Sequence, residues 1–168
     1  MFNKIFAACA SIALAVSPVN ARVEDGTSSL INLMDANGIP VLVNAAECDS
    51  DEFLGLYIHR GLQRRMVLCP GDTVDATDHA VVRHEAWHAI QHCVNAARGT
   101  HSLTPIQEDT VELMSFVNEY LTPQQIAGVQ SLYPKEHWLM ELEAFTAMEA
   151  LTATEIVELF KMACILQG

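Results

Sequence analysis

The stretch from Arg83 to Gln91 contains His-Glu-x-x-His, and this spacing restricts the local fold more than any other part of the chain. In an α-helix His84 and His88 lie one turn apart on the same face, so both imidazoles point to one place. Two imidazoles at this spacing can bind one zinc ion, and Glu85 then lies beside the coordination position that stays open. The segment predicts a helical zinc site with Zn2+ as cofactor and Glu85 as general base.

A catalytic zinc ion generally takes three protein ligands, so a third ligand must come from elsewhere in the chain. Gln91 and Val94 stand where the continuous motif His-x-x-Gly-x-x-His would place its glycine and its third histidine. His92 extends the row of histidines by one turn, but three ligands in one row are hard to close into a tetrahedron. A carboxylate on a separate helix is therefore favoured as the third ligand.

Two glutamates on a later helical segment compete for this role. At about 100° per residue, Glu141 falls inside the apolar stripe that includes Trp138 and Phe145, whereas Glu143 falls on the opposite side. A carboxylate within an apolar stripe is costly to bury unless it meets a cation. Glu141 is expected to bind the metal, with pairing to Arg83 as the alternative. Glu143 is expected to face solvent or to support a ligand, and an exchange of roles with Glu141 stays open.

The motif His-Glu-Ala-Trp-His at 84–88, followed by Glu-Leu-Glu-Ala at 141–144, resembles the gluzincin pattern of zinc peptidases. It is similar in particular to the small single-domain minigluzincins. The resemblance implies both motif histidines and Glu141 as zinc ligands, and Glu85 as the general base. Related families often carry Asp or Asn directly after that alanine, as a partner for a zinc-bound imidazole, and this chain has Phe145 there.

The expected reaction is hydrolysis of a peptide bond in a peptide or protein substrate by a zinc-bound water, whose proton Glu85 accepts. Tyr133 and His137 lie one to two turns before Glu141 and are candidates to donate a hydrogen bond to the oxyanion. Two alternatives stay open. The first is an exported binding or structural module with a vestigial or structural metal site, and the second is another zinc hydrolase, such as an amidase acting on cell-wall peptide.

Residues 1–21 have the features of a secretory signal peptide. Lys4 gives a positive start, residues 5–16 are an apolar run, and small residues precede a predicted cleavage after Ala21. The run is shorter than the roughly 20 apolar residues of a membrane span, so no stable membrane anchor is expected. A single domain at 22–168, in a secreted or periplasmic protein, is predicted.

The chain is acidic, with a formal net charge of −12. A negative surface repels nucleic acid and anionic membranes, so neither is expected as a partner. Composition and charge leave the oligomeric state open.

Four cysteines remain after the predicted cleavage, an even number that suits an oxidising compartment. They allow three pairings. Cys48 with Cys69 is favoured because this pair brackets a predicted hairpin, and Cys93 with Cys164 because it would tie the last helix to the metal helix. A thiolate zinc site is disfavoured because the chain contains no Cys-x-x-Cys pair.

Hydrophobic periodicity and turn residues predict an α+β fold, a mostly helical single domain with a small antiparallel or mixed β-sheet packed beside the His-Glu-x-x-His helix. Thr104, Thr122 and Thr154 are expected to cap helices. The predicted helices span 28–37, 77 or 78 to 97, 104–121, 124–132, 135–151 and 155–166, and the predicted strands span 39–43, 54–59 and 66–69. An edge strand of such a sheet can hold an extended substrate through backbone hydrogen bonds.

Overall fold

The structure, a computed structural model, describes residues 23–50, 53–60, 63–69 and 76–166. The predicted signal peptide and its cleavage site lie outside these residues. The helices are α1 (Val23–Ala36), α2 (Ala76–Ala97), α3 (Thr110–Tyr120), α4 (Pro123–Leu132), α5 (Trp138–Ala150) and α6 (Ala153–Phe160), and the strands are β1 (Val41–Val43), β2 (Gly55–Arg60) and β3 (Gln63–Leu68). The predicted mostly helical α+β fold is confirmed.

The three strands form one mixed sheet in the order β1-β3-β2. Strands β2 and β3 are antiparallel, with Tyr57 opposite Met66, and β1 joins β3 in parallel. This confirms the predicted hairpin, whose tip at 61–62 lies outside the described residues. Strand β1 is shorter than predicted because the N–H of Ile39 donates to the carbonyl of Met34 and belongs to the end of α1.

Helix α2 is the central element, and it is buried along most of its length. Strands β2 and β3 pack on it from one side, and α5 and α6 pack on it from other directions. Its small and aliphatic residues Ala86, Ala89 and Ile90 are almost fully buried, which allows close approach of these neighbours. The motif histidines are therefore held on a rigid helix next to both the sheet and α5.

The predicted helix from Thr104 to Leu121 is wrong in its first third, because α3 begins at Thr110. Asp109, not Thr104, is the N-cap, and its side chain accepts hydrogen bonds from the N–H groups of Val111 and Glu112. Thr104 instead donates to the side chain of Asn95 on α2. Tertiary hydrogen bonds thus replace the helical ones in the segment before α3.

The other helix ends follow local sequence signals to different degrees. Thr122 caps α4 through a capping box, as predicted. Thr152, not Thr154, caps α6, because Glu155 is correctly spaced to complete a capping box with Thr152. Helix α1 begins at Val23 instead of Ser28, and it ends before Gly38, whose φ of +75° suits glycine.

Both predicted disulfides are confirmed. Cys48 pairs with Cys69, and Cys93 on α2 pairs with Cys164 beyond α6. Two disulfides are compatible with an extracellular protein. Among the described residues, no helix is long and apolar enough to span a membrane.

Candidate metal centre

Three side chains from two helices converge on one buried point. The Nε2 atoms of His84 and His88 on α2 are 3.1 Å apart. Oε2 of Glu141 on α5 lies 3.3 Å from the first of these nitrogens and 3.4 Å from the second. All three residues are buried, and they form the one group of potential metal ligands found in the part of the chain that the structure describes. The structure thus brings together the three predicted ligands.

The spacing and the chemistry of these three atoms fit a metal ion. Ligand atoms at about 2.0–2.1 Å from a tetrahedral zinc ion lie roughly 3.3–3.4 Å from one another. Oε2 of Glu141 is buried and makes no hydrogen bond to any described residue. A buried carboxylate oxygen without a donor is costly, and a cation between it and the two imidazoles would remove that cost. A metal ion can be held here, and its identity has to be inferred from the donor set.

The charged side chains of the cluster shift the pKa values of one another. Burial lowers the pKa of His88, but the carboxylates of Glu141 and Glu85 outweigh this and raise it to about 9. Burial raises the pKa of Glu141, but the two neighbouring imidazoles lower it to about 2. The cluster therefore favours positive charge between these side chains, whether as a proton or as a metal ion.

Gln91 is the partner of the other nitrogen of His88. Its Oε1 lies 2.8 Å from Nδ1 of His88, and both side chains are buried. Because Oε1 can only accept, Nδ1 carries the proton of the neutral ring, and the lone pair that can bind a metal is then on Nε2. The partner for this imidazole thus comes from the same helix and not from the position after Ala144.

His84 has a different neighbourhood. Its ring centroid is 4.4 Å from that of Phe145, and the two rings are tilted by 59°. Nδ1 of His84 is buried and has no hydrogen-bond partner within the described ranges. With Phe145 at this position, the imidazole of His84 is oriented by aromatic packing.

Glu85 is buried between α2 and the start of β2. A Cβ added to Gly55 would lie 2.9 Å from both Cγ and Oε1 of Glu85 and would overlap Val81. Burial raises the pKa of Glu85, while the nearby His84 and His88 lower it, and the net shift is upward. The carboxylate therefore lies next to the ligands, held against a strand that has to carry glycine at this point.

Glu143 is buried and does not face solvent as one of the sequence predictions had it. Its Oε2 accepts from Nε2 of Gln91 at 2.8 Å and from Nε1 of Trp87 at 3.3 Å. Its carboxylate also accepts from the backbone N–H groups of Ile106 at 2.9 Å and Gln107 at 2.8 Å. The solvent prediction failed because α5 packs against both α2 and α3, so that its successive residues 140–144 are all buried. The predicted supporting role fits these contacts, since Gln91 also holds His88.

Arg83 and His92 make contacts outside the three-ligand cluster. Nε of Arg83 donates to the backbone carbonyl of Met148, and the carboxylate that acts on its guanidinium is Glu149 and not Glu141. His92 contacts Tyr57, whose hydroxyl is 3.0 Å from Nδ1, and does not join the metal ligands. Burial, followed by nearby positive groups, lowers the pKa of His92 to about 4.

Tyr133 and His137 differ in burial. Tyr133 is half-buried, and burial together with the charges of Glu141 and Glu85 raises its pKa. Those two carboxylates are thus close enough to Tyr133 to act on it, and the hydroxyl keeps its proton. His137 is exposed at the end of the single-turn helix Lys135–His137. Tyr133 is therefore the candidate that has an electrostatic link to the cluster.

Three residues that support the cluster were missed from the sequence: Gly55, Trp87 and Gln91. Gly55 carries no local signal, because its need for glycine arises from Glu85 on another element. The position of Gln91, three residues after His88, was a usable signal, since side chains at this spacing are neighbours on a helix.

Comparison of this chain with protein-family models, with curated proteins and with solved structures finds no match in any of the three. The assignment of function therefore depends on the geometry of the site.

Proposed function

We propose that this protein is a secreted zinc metallopeptidase of the gluzincin type, similar to the minigluzincins. The observation that carries the proposal is the convergence of Nε2 of His84, Nε2 of His88 and Oε2 of Glu141 within 3.1 to 3.4 Å. Glu85, buried next to this group, supplies a carboxylate that is not itself a ligand. A structural zinc site has four protein ligands, whereas three ligands leave a position for substrate chemistry.

Zinc is the proposed metal because two imidazoles and one carboxylate form a donor set typical of its catalytic sites. When bound, zinc would acidify water and polarise the carbonyl of a substrate. His84, His88 and Glu141 would hold it, and the carboxylate would reduce the net charge of the centre. These side chains lie on packed helices, so the site is largely preformed.

Glu85 is proposed to accept the proton of the attacking water and to pass it to the leaving amine. Its burial raises its pKa, which makes the carboxylate a stronger base than an exposed glutamate. The backbone of Tyr57 on β2 hydrogen-bonds this carboxylate, which limits its movement and keeps it beside the ligands. Tyr133 is proposed as the donor to the oxyanion, because its hydroxyl stays protonated and feels the charges of Glu85 and Glu141.

A peptide or protein in extended conformation is the proposed substrate. Strand β2 lies at one edge of the sheet and packs on α2, which carries the motif. On its other side β2 pairs with β3, so within the described ranges its outer edge remains available for backbone hydrogen bonds. Export by a signal peptide at residues 1–21 is part of the proposal, and the two disulfides are compatible with it.

The test is hydrolysis of a peptide library by the purified zinc-loaded protein and by its Glu85→Gln variant. Glu85→Gln keeps the size of the side chain but removes the base, so we expect about one zinc per chain and at least a 100-fold loss of activity. Glu112→Gln changes an exposed glutamate at the start of α3 and serves as the matched control with wild-type activity.

Full activity of the Glu85→Gln variant would contradict the role of Glu85. Tight zinc binding without hydrolysis of any peptide would favour the exported non-catalytic module. Cleavage of cell-wall peptide alone would favour an amidase.

A further inference from the structure

The side-chain amide of Gln91 connects a metal ligand to a buried carboxylate. Its Oε1 faces Nδ1 of His88 at 2.8 Å, and its Nε2 lies 2.8 Å from Oε2 of Glu143. The same Nε2 lies 3.0 Å from the backbone carbonyl of Met140. Gln91 is fully buried, so all of its polar contacts are made with protein.

The orientation of this amide follows from its neighbours. The carboxylate of Glu143 receives hydrogen bonds from Trp87, Ile106 and Gln107, so it is surrounded by donors and acts as an acceptor. The carbonyl of Met140 can only accept. Both groups therefore require the NH2 end of Gln91, which leaves Oε1 to face His88. An acceptor at this position in turn requires a proton on Nδ1 of His88.

We infer that Gln91 and Glu143 are positioning residues that set the protonation of His88 at Nδ1 and so reserve its Nε2 for the metal. The inference rests on the proposed metal centre, and it adds a source for the orientation of one ligand. Glu143 acts through Gln91, and its own position is set by the backbone N–H groups of Ile106 and Gln107 in the segment before α3. That irregular segment is thereby linked to the metal centre by a chain of three hydrogen bonds, through Glu143, Gln91 and His88.

A purely structural role for these residues would have other consequences. A buried carboxylate that holds a backbone segment stabilises the fold, but it does not determine which nitrogen of a distant imidazole carries a proton. The tautomer of His88 therefore separates the two roles. It can be measured in the metal-free protein and does not depend on activity.

The first measurement is long-range 1H–15N NMR of the metal-free wild-type protein, at a pH where the 15N shifts show that His88 is neutral. We expect neutral His88 to carry its proton on Nδ1. A dominant Nε2–H tautomer of His88 would overturn the inference without any variant being needed.

The second measurement is the zinc dissociation constant of Gln91→Met, obtained by competition with a chelator at neutral pH. Methionine fills a similar volume but offers no acceptor of comparable strength, so we expect loss of the fixed Nδ1–H tautomer and roughly 10- to 100-fold weaker zinc binding. The matched control is Thr27→Val. Thr27 is a buried hydroxyl on α1 that bonds His79, and it is not part of the path from Ile106 and Gln107 to His88.

The control should lose stability but keep the Nδ1–H tautomer and bind zinc within about twofold of wild type. A Gln91→Met protein that behaves like Thr27→Val in both readouts overturns the inference. Equal weakening of zinc binding in the two variants does so as well.

Glu143→Gln gives a second variant in case Gln91→Met does not fold. An amide at position 143 can donate, so only the carbonyl of Met140 still requires the NH2 end of Gln91. We expect a larger share of the Nε2–H tautomer and zinc binding that is weaker by up to about tenfold. An unchanged tautomer and affinity in this variant contradict the role of Glu143 as a positioning residue, even if the wild type hydrolyses peptides. Conversely, a wild type that orders His88 as expected but cleaves no peptide refutes only the proposed peptidase function.

Discussion

His88 and His84 lie one turn apart on helix α2, but their Nδ1 atoms meet different surroundings. Nδ1 of His88 bonds Gln91, which in turn bonds the buried Glu143. Nδ1 of His84 is without a hydrogen-bond partner among the described residues, and its ring packs against Phe145. One ligand is thus oriented by a polar network, and the other by aromatic packing.

This difference shows that two histidine ligands of one metal site can be oriented by different kinds of contact. A hydrogen bond to Nδ1 selects the tautomer and increases the basicity of the coordinating nitrogen, whereas packing restricts only the plane of the ring. Metal binding at His84 therefore leaves a buried N–H without an acceptor among the described groups, which costs free energy. We therefore expect substitutions near His88 and substitutions near His84 to change zinc binding and stability to different extents.

The largest effect is expected from a substitution on β2 that changes neither His84 nor His88. Gly55→Ala places a methyl group against Glu85 and Val81, so the carboxylate must move away from its position beside the ligands. We expect a loss of about 100-fold in peptide hydrolysis with zinc affinity within about threefold of wild type. Steady-state kinetics and chelator competition measure the two quantities. A parallel loss of both would show that Gly55 supports the metal site and not the base alone.

The second effect concerns the pH dependence of the metal-free protein, and it tests the His88 side. The pKa of His88 is raised from 6.5 to about 9, so its pairing with Glu141 stabilises the fold below pH 6.5 and is lost as the pH rises through 9. The pKa of Glu141 is lowered from 4.5 to about 2, so its contribution is present above pH 4.5 and is lost as the pH falls through 2. The two pKa shifts arise from the same interaction between His88 and Glu141.

Urea denaturation of the metal-free protein should show a decrease in unfolding free energy on the order of 2 kcal/mol between pH 6 and pH 10. His88→Ala should lack this component. His79→Ala, which changes a histidine on the same helix that bonds Thr27, is the control and should retain it. The same slope in the His88→Ala variant would assign the pH dependence to other groups.

The smallest effect is expected from substitutions of Phe145, whose ring packs against His84. Phe145→Asn offers a side-chain acceptor next to His84, so we expect about tenfold tighter zinc binding in a protein that is about 1–2 kcal/mol less stable without metal. Phe145→Leu removes the ring without adding a polar group and is the matched control. Equal zinc affinities for the two variants would mean that His84 does not respond to a partner at this position.

The parts of the molecule that were predictable are those set by short-range patterns. The His-Glu-x-x-His spacing places His84 and His88 together on any helix, and the capping box at Thr122 fixes the start of α4. Glu141 was identified because an acidic residue in an apolar stripe needs a cation. The three ligands therefore followed from local geometry and one energetic rule.

The unpredicted parts depend on contacts between distant segments. Thr104 has a strong helix-start sequence, but its hydroxyl bonds Asn95, and the N–H groups that follow bond Glu143. The burial of Glu143 likewise depends on how α5 is enclosed by α2 and α3. Periodicity on a single helix cannot reveal that both of its sides are covered.

The disulfide between Cys93 and Cys164 spans 71 residues, and Glu141 lies within the loop that it closes. In the oxidised chain this loop restricts how far Glu141 can move from the motif histidines before the fold is complete. Formation of this bond and capture of a metal at the three proposed ligands therefore favour each other, since linkage between two equilibria is reciprocal. A chain built in this way would assemble the proposed metal centre most readily once this disulfide has formed.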